Sequence, residues 1–237
     1  MSKTGPPGLG RPYRLVVVGD CNVGKTALIE HFVYGNHVVG KVYKPTIGDV
    51  YEACIESDRD KYENVQIFDT PGSLYTSESM QHRYEQDHFM SIADGFVLVY
   101  SITSRPSFDR IVNIRRMIAQ KYKECPMVVV GSKADLEEER THEAIYPAPW
   151  ARAHNIRCFE VTVLDRETLK PPFAYVTWGM ANPGKQSSWP GNNWGIKSPE
   201  GSLRMSLTSS SLVPRSPPAD ASYPSHGLLF SDCMQHK

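Results

Sequence analysis

The chain has no excess of either charge, no long apolar run and no cysteine pattern. Lys and Arg together number 26, as do Asp and Glu, so the formal net charge of the 237 residues is zero. Such a balance lacks the electrostatic footprint of a nucleic-acid binder or an anionic-membrane binder, so neither partner is expected. The cysteines (Cys21, Cys54, Cys125, Cys158 and Cys233) are odd in number, scattered and without C-x-x-C spacing. That argues against a disulfide framework and against a zinc site, and it suits a reducing compartment. The histidines show no metal spacing either; His82 and His88 do not align on one helix face. No stretch is apolar for long enough to span a bilayer. Met1–Pro7 lacks the apolar centre of a secretory signal, and Ser2 stands where N-myristoylation requires glycine. Cys233 is fifth from the end, so Cys-Met-Gln-His-Lys is not a prenylation box, and few basic residues surround it. The expectation is a cytoplasmic chain without a lipid anchor.

What is present suffices for a sizeable core, because 40% of the residues are hydrophobic. Residues 1–11 read as a Gly/Pro-rich disordered leader, 12–181 as one folded domain, and 182–237 as a disordered Ser/Pro/Gly-rich tail. Within the domain, strand-like and helix-like runs alternate. Gly95–Tyr100 is a continuous apolar run of the kind covered on both faces, and the β-branched stretches Tyr13–Val18 and Pro126–Gly131 read as further buried strands. Asp49–Glu56 alternates in polarity and, with Tyr62–Asp69, predicts a hairpin around Ser57–Asp60. Cys158–Thr162 reads as the last strand. Helical spacing covers Thr26–Tyr34 with Gly35 as its stop, Pro106–Tyr122 capped by Ser104 or Ser107, Glu137–His154 broken at Pro147 and Pro149, and Leu169–Ala181. This order predicts an α/β fold in three layers, with a mostly parallel sheet flanked by helices and ligands bound beyond the C-terminal strand ends. In the tail, Ser198-Pro199, Ser216-Pro217 and Leu228–Phe230 read as ordinary disordered-segment sequence.

Four motifs stand just after strands or between elements. Gly19-Asp20-Cys21-Asn22-Val23-Gly24-Lys25-Thr26 fits G-x-x-x-x-G-K-[ST], flanked by a strand and a helix as a phosphate-binding loop requires. Its amides would surround a β-phosphate, Lys25 would reach the β- and γ-phosphates, and Thr26 would offer a hydroxyl to Mg²⁺. Asp69-Thr70-Pro71-Gly72 follows the third strand; Asp69 would hold the metal through water and the Gly72 N–H would meet a γ-phosphate. In Pro45-Thr46-Ile47 the Thr46 hydroxyl would complete the Mg²⁺ shell, so loss of the γ-phosphate would free this loop. In Ser132-Lys133-Ala134-Asp135 the aspartate would accept from the guanine ring N–H and amine, while the lysine stem would lie against the base.

With these motifs in order, residues 12–181 resemble the Ras superfamily of small GTPases. The resemblance implies a P-loop GTPase domain with a six-stranded sheet, GTP/GDP and Mg²⁺ as ligands, and effector proteins binding the loops around Thr46 and Gly72. Tyr34–Gly40, Ile55–Arg59, Asp94–Ser101 and Ser104–Phe108 are similar to the kappaB-Ras group, the NF-kappa-B inhibitor-interacting Ras-like proteins. That likeness implies inhibitor-of-NF-kappa-B proteins and Ral-regulating complexes as partners of a monomer.

The chain departs from the superfamily at several sites. Ser73 stands where a glutamine would orient the attacking water, and Cys21 stands where glycine leaves room for an arginine finger; both imply slow hydrolysis. Ser132 replaces the usual asparagine and so loses an amide that contacts the base and ties loops together, which implies reduced nucleotide affinity. Thr162 and Val163 fall in the loop that meets the guanine oxygen, where the Val163 N–H would serve as donor. No aromatic that would cover the base is evident; His37 and Val38 are the nearest candidates. Two functions remain open: a switch with slow turnover, carried by Lys25, Thr46, Gly72 and Ser73, or a GTP-holding adaptor that does not hydrolyse. A kinase is disfavoured by the lack of an arginine-rich lid and by Asp135.

Overall fold

The computed structural model describes residues 11–36, 43–58, 61–75, 80–122, 124–141, 147–185 and 189, with the backbone alone at Ser73, Tyr75 and residues 80–83. The strands β1 (Tyr13–Gly19), β2 (Asp49–Asp58), β3 (Lys61–Asp69), β4 (Gly95–Ser101), β5 (Met127–Ser132) and β6 (Arg157–Glu160) form one sheet. It has six strands in the order β2-β3-β1-β4-β5-β6. Every pairing is parallel except β2 with β3, which sets Ala53 opposite Val65 in an antiparallel hairpin at one edge. The order reverses beside β1, which opens a crevice at the carboxyl ends of β1 and β4.

Strand alternation divides the core into two layers. Leu15, Val17, Ile67, Val97, Val99, Val128 and Val130 point to the face covered by α1 (Lys25–Tyr34) and α5 (Lys170–Ala181). Val16, Val18, Phe96, Leu98 and Val129 point to the other, where α2 (Met80–Ile92) and α3 (Arg105–Lys121) lie, α3 contributing Phe108, Ile111, Ile114 and Ile118. The central strands are therefore apolar on both sides, as their unbroken sequence runs require.

Local chemistry sets the helix ends. Ser104 caps α3 by accepting from the Ser107 N–H at 3.4 Å, with Pro106 in the first turn. The guanidinium of Arg166 closes the end of α1 by donating to the carbonyls of Phe32 (2.8 Å) and Val33 (3.3 Å). Pro171 and Pro172 occupy the first turn of α5, where a missing N–H costs nothing.

The helical expectation over Glu137–His154 is corrected. Glu137–Glu139 is a single 3-10 turn, residues 142–146 lie outside the described set, and the helix α4 runs only from Pro147 to Ala153. Pro147 and Pro149 start this helix rather than break it, because a proline has no N–H to lose in a first turn. The helix α2 escaped the sequence reading, since its polar stretch carries no clean apolar stripe. No helix among the described residues is long and apolar enough to cross a membrane.

The start of the segment read as a disordered tail is not all featureless. After α5, Asn182 donates its side-chain amide to Trp178 O at 3.0 Å, and a turn brings Lys185 N to Asn182 O. Trp189 is then 5% exposed and belongs to the core layer of α5. Its ring meets Tyr175 edge-on at 5.2 Å and Phe159 at 6.4 Å, under the Arg157 guanidinium at 5.3 Å. Such ring contacts contribute beyond the area that the indole buries. The leader up to residue 10, the tail motifs, Cys233, His37 and Val38 lie outside the described residues.

Candidate functional site: a phosphate, metal and base cradle

Three groups of side chains converge at the carboxyl ends of β1, β3, β5 and β6. The first is the phosphate loop. Asn22 (φ 58°) and Gly24 (φ 91°) take left-handed conformations that turn the loop into α1. Gly19 passes under β4 so closely that a Cβ there would lie 2.2 Å from the Val99 carbonyl oxygen. Lys25 folds back over the loop, its Nζ donating to Gly19 O (3.1 Å) and Asp20 O (2.9 Å). An ammonium carries three donors, so a third remains for an anion. Burial depresses the Lys25 pKa, opposed by the nearby Asp69 carboxylate. A phosphate would relieve that cost by supplying the missing counter-charge. Asp20 Oδ1 accepts from Cys21 N at 2.7 Å, and Arg110 of α3 lies 3.8 Å from Asp20 Oδ2.

The second group is Thr26, Thr46 and Asp69, brought together across 43 positions of sequence. Asp69 is fully buried, and its Oδ2 accepts from Thr26 Oγ1 at 2.5 Å and from Thr46 Oγ1 at 3.4 Å. The two hydroxyls are 2.9 Å apart. Asp69 Oδ1 is buried and makes no hydrogen bond among the described residues. Burial raises the Asp69 pKa, opposed first by the Thr26 hydrogen bond and then by Lys25. A buried carboxylate with an unpaired oxygen beside two hydroxyls is a hard-oxygen donor set, the chemistry Mg²⁺ selects while keeping several waters. The residues therefore fit the metal. Thr70 anchors this corner by donating to Val17 O at 2.8 Å. Gly72 lies against the phosphate loop, where a Cβ would sit 2.5 Å from Cys21 Cα and 2.8 Å from its Sγ. Ser73 follows in a 3-10 turn spanning Gly72–Tyr75.

The third group is Ser132, Lys133, Asp135, Thr162 and Val163. Lys133 takes a left-handed conformation (φ 63°), after which the exposed Asp135 receives a 2.6 Å hydrogen bond on Oδ1 from Thr162 Oγ1. The Ala134 N–H joins Val161 O at 3.0 Å. The Val163 carbonyl lies 2.6 Å from His31 Nδ1 of α1. The expected loss of the loop tie at Ser132 is corrected: its Oγ lies 2.6 Å from Val23 O in the phosphate loop and 2.9 Å from Tyr100 O. The shorter side chain reaches because β5 ends directly beneath the loop. His31, Thr70, Arg110 and Arg166 had no signal in the sequence, since each acts through a backbone atom or a partner far along the chain.

A family model described as the Ras family matches residues 14–181. The chain belongs to that family and is a GTP-binding signalling protein of the small-GTPase class. It is similar to human NF-kappa-B inhibitor-interacting Ras-like protein 1, with 39% identity over 185 residues, covering 77% of this chain and 93% of the relative. Similarity to human NF-kappa-B inhibitor-interacting Ras-like protein 2 is 38% over 184 residues, with the same coverage. The Xenopus laevis protein 2 is 34% identical over 150 residues, 62% of this chain and 88% of the relative.

Proposed function

We propose that the chain is a Mg²⁺-dependent guanine-nucleotide switch with slow GTP hydrolysis, acting through proteins of the inhibitor-of-NF-kappa-B class. The observation that carries the reading is the convergence of Thr26, Thr46 and Asp69 beside Lys25. Thr26, Thr46 and Asp69 would hold the metal, which would neutralise charge on the phosphates and orient them. Lys25 and the amides of residues 21–26 would bind the phosphates, and the Gly72 N–H would sense the γ-phosphate. Thr46 then links phosphate occupancy to the loop that follows α1, the basis of two states. Asp135 would select guanine, with Lys133 beside the base and the Val163 N–H facing the guanine carbonyl oxygen; the Thr162 N–H is held by Thr168 Oγ1 at 3.1 Å.

Slow hydrolysis follows from composition and packing. A serine at position 73 is too short to place a water as glutamine does. Cys21 adds a side chain where Gly72 already abuts the loop, which narrows entry for an activator's arginine. Partner binding is supported by Ile47, 93% exposed, and by the exposed Val50, both beside Thr46. Exposed apolar side chains on the segment that carries Thr46 suit a partner that reads the bound nucleotide. The names of the relatives supply the partner class.

Single-turnover hydrolysis of GTP by the purified chain tests this reading. Turnover below about 10⁻⁴ s⁻¹ is expected, with an increase in Ser73→Gln. Turnover at or above about 5 × 10⁻⁴ s⁻¹ in the unaltered chain would refute slow hydrolysis. No turnover in either form would leave the adaptor instead. Capture of the same proteins by GTP- and GDP-loaded chain would remove the switch.

A further inference from the structure

Beside the base corner, Arg140 makes a bidentate clamp on two carboxylates at once. Nη1 and Nη2 donate to Glu160 at 2.8 and 2.7 Å, while Nε and Nη2 donate to Glu137 at 2.7 and 2.6 Å. Glu137 sits in the turn that follows Asp135, and Glu160 ends β6 two residues before Thr162. The chain from Lys133 to Arg140 is stiffened by successive turns, with Leu136 N to Lys133 O, Glu139 N to Leu136 O and Arg140 N to Glu137 O. The guanidinium therefore joins the loop carrying Asp135 to the strand carrying Thr162.

We propose that Arg140 is a positioning residue for guanine recognition: it holds the Asp135 loop in register with β6, so that Thr162 can fix the orientation of the Asp135 carboxylate. The inference rests on the guanine-nucleotide reading above. An exposed ion pair ordinarily contributes little, because water and salt screen it. Here the arginine side chain is only 19% exposed, both partners are engaged through a fork, and three charges form one network. Its loss has a second consequence. Glu137 and Glu160 would face each other uncompensated, beside Glu138, Glu139 and Asp135, and the two loops would be driven apart. The effect would reach the ligand through one side chain. Thr162 Oγ1 occupies Asp135 Oδ1 at 2.6 Å, which fixes the carboxylate plane that meets the base edge. A guanine offers two donors to that plane, and hypoxanthine, lacking the exocyclic amine, offers one.

The test uses the full chain with Mg²⁺ and fluorescently labelled GDP and IDP. The unaltered chain is loaded first; failure to take up GDP would reject the nucleotide reading itself, separately from this one. In Arg140→Met, GDP release is expected to rise about 5- to 10-fold, the scale of one strong charge-assisted contact. IDP release should rise less, so the preference for GDP over IDP narrows. Glu160→Gln should act in the same direction, and the double variant should release GDP no faster than Arg140→Met, since both changes remove one interaction. Raising salt should speed release from the unaltered chain, by screening the clamp, and slow it in Arg140→Met, by screening the Glu137–Glu160 repulsion. A purely structural arginine would speed GDP and IDP release by equal factors. That result, unchanged GDP release, or additive effects in the double variant would overturn the proposal. If Arg140→Met does not fold, the GDP/IDP ratio of Glu160→Gln decides on its own, and a ratio equal to that of the unaltered chain overturns it.

Discussion

Replacing Ser132 by alanine isolates one bond that ties the nucleotide loops together. The Ser132 side chain is 2% exposed, and its Oγ faces Val23 O at 2.6 Å and Tyr100 O at 2.9 Å. A hydroxyl has one proton, so it donates to one carbonyl at a time and is attracted to the second only weakly. Alanine therefore removes one buried hydrogen bond, and the Val23 carbonyl is left without its side-chain partner. The cost is about 1–2 kcal/mol, the usual range for a buried bond broken from one side. For a domain of this size that lowers the melting midpoint by about 2–8 °C. The nucleotide should feel it too, because Val23 lies in the phosphate loop. If the whole amount is lost from the bound state, GDP leaves about 5- to 30-fold faster. Thermal melts with and without GDP–Mg²⁺, together with release of labelled GDP, measure both effects. A Ser132→Ala chain that melts lower but holds GDP as long as the unaltered protein would refute the coupling. One that matches it in both assays would refute the bond.

Two other outcomes follow from buried side chains outside the nucleotide site. Trp189→Ala should lower the melting midpoint, losing about 3 kcal/mol of aromatic burial, while Trp189→Phe keeps the edge contacts with Tyr175 and loses less; equal midpoints for the unaltered and alanine chains would remove the anchor. Burial pushes the Cys158 thiol up to about 11. Native-state alkylation read by mass spectrometry should therefore leave Cys158 untouched at pH 8 and accelerate toward pH 11. An acid whose folded pKa is raised contributes stability that is full below its ordinary value near 9 and lost as pH rises through about 11, so the fold should weaken over the same window.

The sheet was legible because its central strands carry unbroken apolar runs, and β2 because it alternates. The helix α2 was not, since tertiary packing rather than a clean stripe holds it. The phosphate loop could be read because all its fixed residues are consecutive and act through backbone amides. Ser132 was misjudged for the opposite reason: whether a short hydroxyl reaches a carbonyl 109 residues away depends on how β5 meets the loop. Trp189 was passed over because its neighbours in sequence are polar, and its seat against Phe159 and Tyr175 comes from residues far along the chain.

By itself the sequence determined the fold class, the order of its motifs and the chemical type of each loop, because periodicity and loop spacing are local properties of the chain. Only the tertiary structure decided that Thr26 and Thr46 share one carboxylate oxygen of Asp69 and that Arg140 spans two loops. It also decided that a serine can do part of an asparagine's work. Those are contacts between distant segments. Their geometry is set by the sheet order and the packing of two core layers, neither of which any stretch of sequence contains.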